Sequence, residues 1–102
     1  MKYKKEFCIM PENELYSTER FPGSERHEVF EGRTGNREKS IKDGLVIFIT
    51  PYQHRFDKDA VHNDPKNEKW VELKKIAQET WQKCYNKTEE DFRARYGKNY
   101  LD

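Results

Sequence analysis

The clearest structural element in this sequence is LVIFIT, residues 45–50. β-Branched and aromatic side chains dominate this run, so it predicts a β-strand. The strand leads directly into Thr50 and Pro51, an N-cap residue followed by proline at the first helical position. We therefore expect a strand that runs into a short helix over PYQHRFDKD, with His54 in the first turn of that helix.

The composition limits the size of the domain around this element. With 102 residues the chain forms one domain, residues 1–102, and a domain of that size buries only about two thirds of its unfolded surface. Hydrophobic residues make up 33% of the chain and charged residues 38%, while the aromatic content of 14% argues against wholesale disorder. We expect a folded domain with a small core, which a bound metal would help to stabilise.

Three segments with different patterns predict an α+β fold. Residues 1–24 contain scattered proline and glycine and predict an irregular arm with one short strand near residues 3–9. Residues 25–64 predict a two-stranded hairpin, with an Asp-Gly turn signal before the second strand, and then the short helix. Residues 65–102 predict two helices that cover this ββα module.

Helical periodicity supports the two C-terminal helices. In the first helix, apolar residues recur at steps of three and four and share one face; these are Trp70, Leu73, Ala77, Trp81 and Cys84. Thr88 predicts the N-cap of a second, shorter helix that carries Phe92 and Tyr96 and stops at Gly97. Both aromatic stripes favour packing over any role in stacking on bases.

Charge and cysteine content narrow the classes of function. The formal net charge is +1, so contact with DNA would depend on the local placement of arginines. No apolar segment has the length of a signal region or a membrane span, and we expect a cytoplasmic protein. The two cysteines, Cys8 and Cys84, belong to no CxxC pair, and we expect both to be reduced and unpaired.

All three histidines fall in the middle segment. His27 lies in the first strand or at its exit, His54 in the first turn of the short helix, and His62 in the segment AVHND that follows. Because antiparallel strands lie about 4.8 Å apart, this order of elements can bring the three rings together. Three neutral imidazoles with an open coordination position form the ligand set of a catalytic zinc site. The alternative is that each histidine is an ordinary surface residue.

Several short motifs resemble the small phage-type HNH nucleases, which have the ββα-metal fold. They are RHEVFEG, a Gly/Asn/Arg loop, LVIFITPYQHRF and VH, in that order. The TPxxH step is also similar to the nuclease domains of colicins, and the C-terminal FRARYGKNYL resembles the FxxxFGRNYL tail of the phage group. The resemblance implies a metal-dependent endonuclease that hydrolyses DNA phosphodiester bonds by a one-metal mechanism.

The resemblance also implies roles for individual residues. His27, His54 and His62 match metal ligands, and Glu28 matches the general base, which is usually a histidine in the family. Glutamate is a weaker proton acceptor than imidazole, so catalysis through Glu28 should be slower. Gln53 stands where the phage group often has another histidine.

Two features do not follow the family pattern simply. The family asparagine before the second strand has no clear match, although Asp43 and Asn36 lie nearby in the sequence. Neighbouring side chains in a regular strand point to opposite faces, so a His27-Glu28 doublet acting at one site requires a bulge or an irregular strand exit.

Arginines around the expected site provide candidates for binding DNA phosphates; these are Arg26, Arg33, Arg37 and Arg55. A solvated surface position is the alternative for each. Three imidazoles favour zinc as the resting ion, with magnesium, manganese or nickel as candidates for activity.

Two functions remain open at this point. The first is a nuclease or nickase encoded by a phage or mobile element, with DNA as its partner. The second is a non-catalytic binding or accessory protein in which a bound metal only stabilises the core. In that case the C-terminal helices could bind a protein partner.

Overall fold

The computed structural model describes residues 6–31 and 35–101. Within these residues the chain is an α+β protein with one antiparallel strand pair, as expected. In chain order the elements are β1 (Glu25–Glu28), α1 (Asn36–Asp43), β2 (Val46–Ile49), a π-helical turn (Tyr52–Phe56), α2 (Glu68–Tyr85) and α3 (Glu89–Tyr96).

The two strands pair in a continuous antiparallel register. His27 lies opposite Ile47 and Glu28 lies opposite Val46, with no bulge between the paired residues 25–28 and 46–49. The doublet therefore contains no bulge, and the chain bends directly after it, at Val29 and Phe30. The two side chains leave β1 on opposite faces, because successive residues of a regular strand alternate.

The N-terminal arm packs onto β2 more closely than its sequence suggests. Ser17 and Phe48 exchange both backbone hydrogen bonds, at 2.9 and 2.8 Å, and this isolated bridge covers the second edge of β2. Met10 and Tyr16 from the arm lie in the core. The short strand expected near residues 3–9 does not form over residues 6–9, and residues 3–5 lie outside the described chain.

Helix α1 occupies the connection between the strands, where the sequence predicted only a loop. The segment NREKSIKD has no periodic apolar face, and its only buried members are Ser40 and Asp43, so hydrophobic patterning could not indicate a helix. Gly44 ends α1 in the left-handed region at φ 79°. A Cβ there would lie 3.0 Å from the Ile9 backbone nitrogen, so glycine is required both for the conformation and for the close approach of the arm.

The element that follows β2 begins as predicted but is shorter. Thr50 Oγ1 accepts the Gln53 N–H at 3.1 Å, and Gln53 Oε1 accepts the Thr50 N–H at 3.0 Å, which is the reciprocal pattern of a capping box. Instead of a regular helix over residues 51–59, the chain forms one π-helical turn closed by the Asp57 N–H on the Tyr52 carbonyl. The chain then folds back along the turn, because the Val61 N–H bonds to Gln53 O and the His62 N–H to His54 O.

Helices α2 and α3 follow their predicted patterns with one exception. Trp70, Leu73, Ala77 and Trp81 are buried, but Cys84 is exposed, so its predicted place on the packing face is wrong. Tyr85, four residues after Trp81, instead packs against the core and donates a hydrogen bond to Asp43 O at 2.8 Å. Both cysteines are free, as expected.

Helix α3 has the predicted ends and the predicted buried residues. Thr88 and Asp91 form a capping box, and Gly97 ends the helix in the left-handed region. Phe92 and Tyr96 are buried against Phe30 from the segment after β1, with ring centroids 5.2 and 4.8 Å away. Residues of both C-terminal helices thus share one core with Ile47 and Ile49 of β2.

A buried carboxylate ties α1 to both C-terminal helices. Asp43 accepts hydrogen bonds from Trp81 Nε1 at 2.8 Å and Tyr96 Oη at 2.7 Å, and it accepts Nε and Nη2 of Arg95 at 2.6 and 2.8 Å. This network fixes the C-terminal end of α1 just before β2. Over residues 6–31 and 35–101, no helix has the length and apolar character needed to cross a membrane.

Candidate metal centre

The three histidines of the chain converge at one place. One candidate ligand atom from each ring of His27, His54 and His62 lies within 4.8 Å of the other two. Nε2 of His54 and Nε2 of His62 are 2.8 Å apart, and the His27 ring centroid lies 5.2 and 5.7 Å from those of His54 and His62. The predicted convergence of the rings is confirmed.

Each ring is positioned by a different element. His27 lies in the middle of the β1–β2 pairing and is buried. His54 lies in the π-helical turn, whose start is fixed by the Thr50–Gln53 cap. His62 is held beside it because its backbone N–H bonds to His54 O at 3.2 Å. The fold-back after the short turn therefore supplies the third ring.

The donor set fits one borderline divalent ion. Zinc–nitrogen bonds of about 2.0–2.1 Å place neighbouring donors of a tetrahedral ion roughly 3.3–3.4 Å apart, so side-chain shifts of about an ångström would bring these three nitrogens to that spacing. Burial, together with the nearby His54 and His62, lowers the pKa of His27 to about 3. A neutral imidazole is the form that binds a metal. The residues can therefore hold a metal ion.

A carboxylate that the sequence analysis missed orients His54. Glu25 Oε1 lies 2.9 Å from His54 Nδ1, and Glu25 Oε2 accepts Arg55 Nη2 at 2.6 Å. Hydrogen bonds from Arg55 and His54 lower the pKa of Glu25. With Nδ1 bound to this carboxylate, Nε2 is the nitrogen of His54 left for a metal, as in many histidine metal sites. The sequence did contain one sign of this contact: Glu25 and His27 are two residues apart in a predicted strand, so their side chains lie on the same face.

Glu28 is held by two arginines. Its Oε2 accepts Nε of Arg26 at 3.0 Å and its Oε1 accepts Nε of Arg37 at 3.0 Å. Arg26 also donates to Glu6 Oε1 at 2.6 Å. Arg37 lies in α1, the helix that the sequence did not predict. The assignment of Glu28 as a general base stays a prediction.

A second missed carboxylate lies beside the histidine rings. Glu31 Oε1 is 3.3 Å from His27 Nδ1, and Glu31 Oε2 is 4.0 Å from His62 Nδ1. It follows β1 by three residues and is partly exposed. Nothing in the sequence pattern distinguished it from the other acidic residues of the chain.

These side chains surround a small cleft of about 130 Å³. Both His27 and Glu28 line it, although the pairing of β1 with β2 contains no bulge. Its lining consists of the three histidines with two arginines and two glutamates: Arg26, His27, Glu28, Glu31, Arg37, His54 and His62.

The remaining candidates lie in different places. Arg55 is exposed, pairs with Glu25 and lies over the Phe56 ring. Arg33 lies outside the described residues. Gln53 is engaged in the cap and donates to Leu15 O at 3.2 Å.

Neither candidate for the family asparagine lines the cleft. Asp43 is buried in the network with Trp81 and Tyr96. Asn36 donates to Tyr96 O at 3.1 Å. Both side chains therefore contact the C-terminal helices.

No protein-family model matches this sequence, no curated protein matches it, and no solved structure matches the fold. The resemblance of the short motifs to HNH nucleases therefore stays a prediction.

Proposed function

We propose that this protein is a metal-dependent DNA endonuclease or nickase that hydrolyses phosphodiester bonds, with a ββα-metal module at residues 25–64. The observation that carries the proposal is the convergence of His27, His54 and His62 beside two arginines in one cleft. Imidazole nitrogen and guanidinium groups together suit a site for a divalent ion and a phosphate.

The residues of this chain would have separate roles at such a site. His27, His54 and His62 would hold the ion, and zinc is the resting ion that this donor set favours. A bound divalent ion would stabilise the negative charge that builds up on the phosphate and the leaving oxygen. Glu25 keeps His54 in the orientation that this requires.

Arg37 is the most exposed arginine of the cleft, with 68% of its side chain accessible. Its ion pair with Glu28 anchors the guanidinium at the cleft while leaving donors for a phosphate. Glu28 then has two roles in the proposal, holding this arginine and accepting the proton of the attacking water. Arg55, whose Nη2 donates to Glu25 Oε2 at 2.6 Å, would contact a neighbouring phosphate.

The size and charge of the site favour recognition of the DNA backbone. A cleft of about 130 Å³ accommodates a phosphate group but not a base with its sugar. Backbone contacts carry little sequence information, so we expect weak sequence preference. With a net charge of +1, we also expect weak binding that falls steeply with salt.

The second candidate is a binding or accessory protein in which the metal only stabilises the fold. The burial of His27, at 2% exposure, favours it, because a metal there would connect β1, the π-helical turn and the following loop in a domain with a small core. In this case the exposed face of the C-terminal helices would dock a protein partner.

Supercoiled plasmid distinguishes the two candidates. The purified protein is incubated with magnesium, manganese, zinc or nickel, next to His54→Ala and to Tyr52→Ala, which changes an exposed residue of the same turn. The nuclease proposal expects nicking by the wild type and Tyr52→Ala that EDTA and His54→Ala abolish. Intact plasmid with all four metals, together with a melting temperature that EDTA lowers, would support the accessory protein.

A further inference from the structure

Three carboxylates surround the histidine cluster, and their partners differ. Glu25 is bound by His54 and Arg55, and Glu28 is bound by Arg26 and Arg37. For Glu31, the partners at ion-pair distance among residues 6–31 and 35–101 are imidazoles only. Among the described residues, Glu31 is therefore the one of these three carboxylates with no guanidinium at ion-pair distance, although the charge of Lys74 also acts on it.

The position of Glu31 matches that of a ligand. Its Oε1 lies 3.3 Å from His27 Nδ1, which is the spacing of two neighbouring donors on a tetrahedral ion with bonds of about 2.0–2.1 Å. Its Oε2 lies 4.0 Å from His62 Nδ1, so the carboxylate lies beside two of the three rings of the cluster. A carboxylate at 41% exposure can also rotate with little loss of packing.

We propose that Glu31 is a fourth protein ligand of the ion, and that His27 binds it through Nδ1. The site is then a set of three nitrogens and one oxygen, which suits zinc. This inference rests on the metal centre of the proposed function and does not require nuclease activity.

A fourth protein ligand has a consequence for access to the ion. Four protein ligands complete a tetrahedral zinc shell, which is the arrangement of a closed site. A phosphate or another anion could then reach the ion only by displacing the Glu31 carboxylate or by expanding the shell. Glu31 would thus control entry to the centre from the solvent side.

Cobalt(II) provides a spectroscopic test because it replaces zinc and its visible absorption reports its coordination. The untagged wild type, Glu31→Gln and the control Glu72→Gln, which changes an exposed residue of α2, are titrated with cobalt in the absence of DNA. Azide, a small anionic ligand, is then added at millimolar concentration. Melting temperatures in EDTA show that each variant is folded.

We expect the intense absorption of four-coordinate cobalt in the wild type and in Glu72→Gln, with no response to azide. Glu31→Gln should bind cobalt at least about tenfold more weakly, and its spectrum should change when azide enters the vacated position. Equal affinity in wild type and Glu31→Gln would overturn the proposal, and so would a wild-type spectrum that already responds to azide.

The outcomes also separate this inference from the proposed activity. If cobalt binds as expected but no metal supports nicking, the fourth ligand stands and the nuclease proposal fails. If the folded wild type binds no cobalt, the metal centre fails and Glu31 has no role as a ligand.

Discussion

Replacing Glu28 with glutamine separates the structural role of this residue from its proposed catalytic role. The side chain is 7% exposed and accepts hydrogen bonds from two guanidinium groups. A hydrogen bond to a charged group contributes about 1.5–3 kcal/mol, and Arg26 is sufficiently buried for that range to apply. Arg37 is 68% exposed, so its pair contributes about 0–1 kcal/mol.

Glutamine keeps one acceptor oxygen, so we expect Glu28→Gln to lower the free energy of unfolding by about 1–3 kcal/mol. For 102 residues, an unfolding entropy of about 2.1 cal/mol/K per residue converts this into a fall of about 5–14 °C in melting temperature. Circular dichroism in EDTA measures the change. Glu72→Gln, at an exposed position in α2, is the control and should change stability by less than about 0.5 kcal/mol.

Nicking by the same variant, measured well below its melting temperature, tests the catalytic role. Loss of a general base should reduce the rate by about 10²- to 10⁴-fold. A melting temperature equal to that of Glu72→Gln would refute the ion-pair reasoning. A destabilised variant with full nicking activity would instead refute the proposed proton transfer to Glu28.

Three further predictions follow from named contacts. Glu25→Gln should weaken zinc binding by about 10- to 100-fold because it removes the carboxylate that orients His54; competition with a chromophoric chelator measures this, and unchanged affinity would contradict the role. The pKa of His27 falls from 6.5 to about 3 on folding, so between these pH values only the unfolded chain binds a proton on this residue. The free energy of unfolding of the metal-free protein should therefore fall by up to about 1.4 kcal/mol per pH unit as the pH drops below 6.5. Urea unfolding in EDTA measures this slope, and His27→Gln should reduce it; an equal slope in both proteins would refute the assignment. Asp43→Ala should cost about 3–5 kcal/mol, because it leaves buried donors and a guanidinium without their acceptor; a thermal unfolding shift no larger than that of Glu90→Gln, an exposed control, would contradict this.

The parts of the fold that the sequence predicted are those encoded by local patterns. LVIFIT forms β2, Thr50 caps the following turn, and the periodic apolar face of α2 is buried up to Trp81. Thr88 and Gly97 set the ends of α3. Each of these signals acts within a few residues, so it can be recognised without knowledge of the tertiary structure.

Helix α1 could not be predicted from local sequence patterns. Its segment NREKSIKD contains one apolar residue, Ile41, which is exposed. The position of the helix is fixed by tertiary contacts such as the Asp43 network. Because α1 was not predicted, the approach of Arg37 to Glu28 could not be predicted either. The length of the π-helical turn likewise depends on the fold-back that brings His62 to His54.

The candidate site was predictable in its ligands but not in its surroundings. Three histidines are few enough to be considered together, and their order along the elements indicated convergence. Glu25 and Glu31 are two of many acidic residues, and only the three-dimensional arrangement shows that they lie beside imidazole nitrogens.

The metal content of untagged protein after extensive desalting tests the central claim most directly. We expect the wild type to retain one divalent ion per chain, with zinc as the main metal by mass spectrometry. His27→Ala and His62→Ala should each lose it, and His62→Ala should remain folded because His62 lies at the surface. A folded wild type without metal, or equal metal content in all three proteins, would contradict the conclusion that these imidazoles form a single metal centre.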